Sequence, residues 1–530
     1  MNNNTLNTGS MDVMSIESSI SDDSYSSDDT TNTNISDDME DIKDIKDIKD
    51  IEEKTTIVVN KVKNKYNIQE EMHENTQIKE EYDISRYGFN SEIKEIKITS
   101  EINRMIQLFY ENFTDIIKYR ETIDKYDNEN SRTYEEYKII LKPYDDNTIK
   151  YLYSTFCYFV CKYVWGEPDK KEYDINLTKH IVYNIRQIIP LCIGGIFDIC
   201  ARRLGLPSII THSAVNLYNF KLDEDGEILL KTYLSTDILN INNILKIDEI
   251  MDGLLEHIQI KNTFTDDESE KWFYKIHICI ELAAIKMLNE IIKLFDTDRE
   301  ITKHGVIKVL RTIEHTLNIF TNIISKMESK CNSEFFWNNI RYYLNGFNTY
   351  NVKIKNTGII LTFKGGSAAQ STLLPIIDAL LNYEHTDKYV VEFLKEQQNY
   401  MPIKHRLFIE WIDNKIKCKK WKNYFNNFHH FNKCYISLRM FRQKHHKIVH
   451  KYISANIHKE IEKEGNINRP IQDKGTGGSD YDKLLKTIID NCIMFNPTNT
   501  QSNITIYKTC TIVSSILVVS YIVYKFLFDD

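Results

Sequence analysis

The sequence predicts an all-α fold in two helical units, a smaller one over 96–220 and a larger one over 271–498. Three observations point there. Glycine and proline are scarce, 17 and 8 in 530 residues, or about 5% where a soluble chain averages nearer ~12%. So few breakers argue against a turn-rich sandwich and leave room for long helices. Apolar residues recur at spacings of three and four through 148–165, 272–295 and 372–382, the period of a helix face. Strand-like alternation is scarce.

The elements follow in chain order. Residues 1–95 read as a disordered acidic tail and linker. The first 55 residues hold 15 Asp or Glu and 4 Lys, and so polar a stretch cannot bury enough surface to offset its chain entropy. Near its end stands DIKDIKDIKDI at 41–51, whose isoleucine period of three suits neither a strand nor a long helix. Ser24, Ser26 and Ser27 beside aspartates are either part of a solvated tail or phosphorylation sites. Beyond residue 55 the chain carries 63 basic and 61 acidic side chains. No nucleic-acid partner is expected from so even a balance. Residues 221–270 look polar and irregular, a connection between the two units. The ten cysteines contain no CxxC pair, which fits a reducing compartment.

The C-terminus differs. Between Lys508 and Lys525 lie sixteen uncharged residues, TCTIVSSILVVSYIVY. As a helix they would span about 24 Å, slightly short of a ~30 Å hydrocarbon core, with lysines able to snorkel at either end. Residues 504–528 are therefore a candidate membrane anchor, which would hold a cytoplasmic protein at a membrane surface. A β-branched segment packed on the core is the other reading.

Three helical stretches carry possible chemistry. Over 437–453, Leu438, Phe441, His445, Ile448, Val449, Tyr452 and Ile453 share one stripe, with Arg442 a turn before His445. His445 is either a satisfied core histidine or a neutral imidazole ligand to a metal or haem iron. His446 and His450 fall on the polar side; they are four apart, but no carboxylate completes a zinc motif. Over 335–347, Arg341 follows Trp337 by four, beside an apolar surface. It needs an anion, either a buried acid or a substrate carboxylate. Over 272–288, His277 shares a face with Phe273, Ile276, Ile280 and Ala284, a position that is usually structural. Two glycine turns, GGSAAQS at 365–371 and KGTGGSD at 474–480, lack the pattern of a nucleotide-binding loop. The first could let a flat ligand approach the backbone, and the second could close over a site.

In order along the chain, YVWG (163–166), GLPSII (205–210), NF (219–220), IELAA (280–284), FFWNNIR with YLNGF (335–347), KGGSAAQS (364–371), YMPIKHR (400–406), FRQKHHKIVHKYI (441–453) and KGTGGSD (474–480) resemble the indoleamine 2,3-dioxygenase family. The resemblance covers roughly 145–495 and rests on order and spacing rather than on any one string.

The resemblance implies a small and a large helical domain with haem b between them, and a reductant to keep its iron ferrous. It implies opening of the indole ring of L-tryptophan, or of a related indoleamine, by O₂ to give N-formylkynurenine. His445 is similar to the proximal iron ligand. Arg442 resembles the arginine near a haem propionate, with Asp378 as its partner. Gly366, Ser367 and Ala368 resemble the small residues along the haem edge. Phe273, Phe336, Arg341 and Thr476 resemble the substrate-binding set. His277 stands on the open face of the haem, where a small hydroxyl residue is common, and is the candidate for a catalytic role. His212 falls where a tyrosine is frequent, with Val215 and Asn216 in the same stretch. Two other functions fit a haem fold: an O₂ carrier or sensor without turnover, and a membrane-tethered interaction protein whose haem fold is inert.

Overall fold

Helices carry the fold, and many of their starts are set by local caps. The computed structural model describes residues 76–91, 96–166, 172–173, 181–182, 185–296, 301–418, 421–424, 428–464 and 474–490. The tail repeat at 41–51 and the anchor candidate at 504–528 lie outside the described residues. Among the described residues no helix is long and apolar enough to cross a membrane.

Helix α1 (Asp146–Trp165) starts at Asp145, whose carboxylate accepts from the Thr148 N–H, and ends at Gly166, φ 73°. It is buried on nearly every face, which marks a core helix. Its two buried lysines keep partners: Lys150 reaches Asp83 at 2.7 Å and Lys162 the Tyr343 hydroxyl at 3.1 Å. Helix α2 (Leu191–Leu204) packs along it and stops at Gly205, φ 66°.

Helix α3 (Glu268–Ala283) is capped by Asp267. Helix α4 (Lys303–Ser325) is capped by Thr302 and buries one long stripe. Helix α5 (Leu373–Leu380) is short and apolar. Helix α6 (Phe428–Val449) lies along α4, with Phe441 5.8 Å from Phe320. Helix α7 (Tyr481–Asp490) buries Leu484 and Ile488 against Val390 and Phe393.

Strands are short. Ile188–Ile189 runs parallel to Val352–Ile354, which pairs antiparallel with Ile360–Leu361. Phe220–Leu222 pairs antiparallel with Ile258–Ile260, Phe220 opposite Ile260.

Two expectations are corrected. Residues 76–91 are not linker: a helix, Thr76–Glu81, leads into a turn that buries Tyr82, Ile84, Tyr87 and Phe89. Phe89 packs 4.5 Å from the His405 ring and Tyr82 5.4 Å from Phe408. Charged neighbours dilute these apolar residues in the sequence, so their burial depends on partners more than 300 residues away. Nor is 221–270 irregular. It forms helices Glu224–Ser235 and Ile244–His257 and the second strand of the hairpin-like pair. Their charges lie on outer faces, while Leu229, Tyr233, Ile250 and Leu254 are buried.

Three helices also depart from regular α geometry. Ser213–Leu217, Phe336–Ile340 and His450–Ser454 are π-helical turns. Each widens the helix locally and shifts the side chains that follow, a feature often found at functional sites.

Candidate functional site

A cleft of about 1020 Å³, mouth included, gathers the singled-out residues. Helix α3 contributes Phe273 and His277. The π turn at 336–340 contributes Phe336 and leads into Arg341. Gly366, Ser367 and Ala368 form an edge, α6 supplies His445, and the loop before α7 supplies Thr476. Arg442 and Asp378 sit outside the lining and pair with each other, the Arg442 Nη2 lying 2.7 and 2.9 Å from the two carboxylate oxygens.

Backbone contact builds the edge. Gly366 N–H donates to the Leu344 carbonyl at 3.0 Å, and Gly365 N–H to the Thr476 carbonyl at 3.0 Å. A Cβ on Gly365 would stand 2.0 Å from the Leu344 oxygen, so that position admits only glycine. Gly366 is different. A Cβ there would meet nothing nearer than the Ile210 oxygen at 3.8 Å. The protein's own packing does not require that glycine, and its missing side chain leaves the cleft surface bare.

Arg341 is 4% exposed; its guanidinium lies 4.7 Å over the Trp337 ring and donates to the Lys474 carbonyl at 2.6 Å. The Thr476 hydroxyl donates to the Gly366 carbonyl. The loop 474–477 therefore touches both the arginine and the glycine edge. Buried amides fix it further: Gln370 donates to the Gly365 carbonyl at 2.9 Å and to Gln397 at 3.1 Å, and Gln397 donates to the Gly477 carbonyl at 3.4 Å.

Two cleft histidines are held neutral. Burial pushes His445 down to about 4, with His446 beside it adding to the effect. Among the described residues nothing hydrogen-bonds to the His445 ring. Burial likewise pushes His277 down to about 4. The His277 Nδ1–H donates to the Phe273 carbonyl at 2.8 Å, so its Nε2 carries the lone pair. His446 is partly exposed and bonds to Asp482 of α7 at 2.9 Å.

These residues fit a haem. Among the described residues no group of three or more His, Cys, Asp or Glu could hold a metal ion. An iron bound through His445 must bring its other ligands with it, as a porphyrin does. A neutral imidazole without a protein partner, a bare glycine edge and a nearby arginine suit that group.

On one wall of the cleft, His212 is gripped on both ring nitrogens: Nε2 lies 3.0 Å from Glu281 Oε1 and Nδ1 2.9 Å from Asn216 Nδ2. Ser371 donates to the same Glu281 oxygen at 2.7 Å. Sequence reasoning missed Glu281, Gln370 and Gln397. The first two lie inside the motif strings, where their neighbours drew the attention; Gln397 sits in a polar helix with no local signal.

The model of the indoleamine 2,3-dioxygenase family matches residues 78–493. The chain belongs to that family. It is similar to indoleamine 2,3-dioxygenase of Saccharomyces cerevisiae, 28% identical over 310 residues, covering 54% of this chain and 64% of that protein. It is similar to the indoleamine 2,3-dioxygenase of Penicillium citrinum, 28% identical over 250 residues, covering 44% and 55%. Human indoleamine 2,3-dioxygenase 2 is 24% identical over 367 residues, covering 67% and 80%. The matches thus span less than two thirds of the yeast and Penicillium relatives.

Three desolvated histidines make stability pH-dependent. Their ordinary value is near 6.5, but folding holds His277 and His445 at about 4 and the fully buried His405 at about 3. Below the ordinary value the unfolded chain binds protons that the folded chain refuses, so stability is full above that value and declines toward acid. The urea midpoint of the apoprotein is expected to fall between about pH 7 and about pH 5, and His405→Leu to reduce the fall. An unchanged midpoint would show that these imidazoles are not buried neutral.

Proposed function

We propose that the protein is a dioxygenase that uses haem b to open the indole ring of L-tryptophan or a close indoleamine. Both atoms of O₂ enter the product, N-formylkynurenine in the case of tryptophan, and a reductant keeps the iron ferrous. The observation that carries the reading is one cleft shared by an unbonded neutral histidine, an aromatic wall and a buried arginine. An O₂ carrier has no use for the last two.

When bound, ferrous haem supplies the binding and activation of O₂. His445 would hold its iron, and the Arg442 guanidinium, held in place by Asp378, would donate hydrogen bonds to a propionate. The chain's other residues bind and orient the substrate. Arg341, already steered by Trp337 and the Lys474 carbonyl, offers its fork to the amino-acid carboxylate. Phe273 and Phe336, 4.9 Å apart, pack the indole. The Thr476 hydroxyl, docked on Gly366, closes the amino-acid end and excludes water. His277 Nε2 accepts a hydrogen bond from the indole N–H. Its value near 4 makes it too weak a base to remove that proton, so it orients the ring rather than activating it.

The reading is tested by supplying tryptophan and O₂ to the reduced, haem-loaded protein and identifying the product by absorbance and mass. Haem binding without any ring-opened product would overturn it. His445→Ala should lose the Soret band; if only His446→Ala loses it, the ligand is misassigned. Arg341→Ala should weaken tryptophan roughly 10- to 150-fold, the worth of a charged hydrogen bond, and tryptamine much less. Equal losses would make Arg341 structural. His277→Ser should narrow the preference for tryptophan over 1-methyltryptophan, which has no N–H to donate; an unchanged ratio would remove His277 from the site.

A further inference from the structure

Beyond the acidic tail, basic and acidic side chains are nearly equal in number, but they are not evenly mixed. Between Asp413 and Glu460 lie 46 residues without a single Asp or Glu, among them 12 Lys or Arg and six His. Helix α6 fills the middle of that stretch. Its inner side bears His445 and packs on α4 through Phe441. At about 100° per residue, Lys433, Ile436, Met440 and Lys447 fall on the opposite side, and Lys451 in the following π turn continues the row. All five are exposed, Ile436 at 48% and Met440 at 51%. Arg439 and Lys444 flank the row, which is about 27 Å long from Lys433 to Lys451.

Acids meet this row at its two ends, where Lys433 lies 3.9 Å from Glu314 and Lys451 2.6 Å from Glu328. Exposed pairs of this kind are weak. In the middle, Arg439, Lys444 and Lys447 form no ion pair among the described residues. On the α7 flank, Asp482 is engaged by His446 and Lys486. The whole chain carries −9, so any attraction to an anion is local to this face and acts within a Debye length, about 8 Å at physiological salt.

The two apolar side chains in the row decide which anion fits. Contacts to nucleic-acid phosphates use charged and polar donors and have no place for Ile436 and Met440. Protein interfaces are depleted in lysine and enriched in arginine, whereas the basic residues of the row itself are all lysine. A bilayer surface takes both kinds of side chain. Headgroups meet the flexible, well hydrated ammonium groups, and apolar side chains enter the boundary between headgroups and acyl chains. The course of the chain agrees. It leaves α7 at residue 490, and α7 is tied to α6 by His446 and Asp482. Residues 491–503 can span at most about 50 Å before the anchor candidate at 504–528 begins.

We propose that the outer face of α6 docks on a membrane surface rich in anionic lipid. Arg439, Lys444 and Lys447 meet the headgroup anions, and Ile436 and Met440 enter the interface between them. His445, on the inner side of the same helix, then faces away from the bilayer. This docking is independent of the reaction in the cleft.

The test sediments the full-length chain with vesicles of phosphatidylcholine alone and of equimolar phosphatidylcholine and phosphatidylserine. Binding to the mixed vesicles is expected to be the stronger, and the difference to vanish at high salt. Replacing Arg439, Lys444 and Lys447 together by Gln should lower the partition onto mixed vesicles by roughly a hundredfold, about fivefold for each charge, and leave the partition onto neutral vesicles unchanged. Ile436→Ser with Met440→Ser should weaken binding to mixed vesicles while leaving its salt dependence. The control replaces Lys118, Lys125 and Lys138, exposed on other helices, by Gln; it changes the net charge equally and should have little effect. Equal losses from the two triple variants would reduce the effect to net charge and overturn the proposal. Equal binding to both kinds of vesicle would overturn it too, leaving residues 504–528 as the membrane contact. Absence of binding to either would also overturn it and make an acidic protein the occupant of the face.

Discussion

The cleft depends on one backbone crossing. At Gly346 and Gly365 two chain segments approach so closely that a side chain on either would collide with the other's main chain. Hydrogen bonds from Phe347 N–H to the Phe363 carbonyl and from Gly366 N–H to the Leu344 carbonyl lock the crossing. Gly365 N–H then takes up the Thr476 carbonyl. Through these contacts the turn that carries Phe336 and Arg341, the bare edge at Gly366 and the loop at 474–477 become one wall. Interiors are close-packed and transmit strain, so a substituent at the crossing would displace all three parts together.

Desolvation sets the chemical character of what that wall encloses. It keeps His445 and His277 unprotonated well below neutrality, so each offers a lone pair where a solvated histidine would be partly charged. The two are nevertheless distinguished by their partners. His277 spends Nδ1–H on the Phe273 carbonyl, which fixes its tautomer and ring orientation. The His445 ring has no protein partner among the described residues, which leaves it free for a ligand bond. His212 is the contrast: both its nitrogens are engaged, so it braces its neighbours rather than meeting a ligand itself. Three histidines on one cleft thus take three roles because their hydrogen bonds differ.

The π turns explain why a regular helical wheel describes the cleft only in outline. Read as an unbroken helix, 335–347 puts Arg341 beside an apolar surface but does not say what it faces. The widened turn at Phe336–Ile340 shifts Arg341 relative to Phe336, so both line one cavity. The turn at His450–Ser454 brings Tyr452 to 5.6 Å from Phe336, backing the aromatic wall from α6.

By itself the sequence determined what local chemistry decides. Apolar spacing marked α1, α3 and the stripe of α6 that bears His445. Carboxylate and hydroxyl caps such as Asp145, Asp267 and Thr302 set helix starts, because each satisfies amides within its own first turn. The family resemblance named residues that the fold gathers on one cleft, and it paired Arg442 with Asp378, which lies outside the motif strings. Tertiary structure decided whatever depends on distant partners. Residues 76–91 are ordered because Phe89 meets His405 and Asp83 meets Lys150. The polar helices of 221–270 are ordered because one face of each is buried. Glu281, Gln370 and Gln397 matter through hydrogen bonds to groups that no short window contains. Periodicity records which side of an element turns inward, whereas the group a buried polar atom meets there is settled only when the chain is folded.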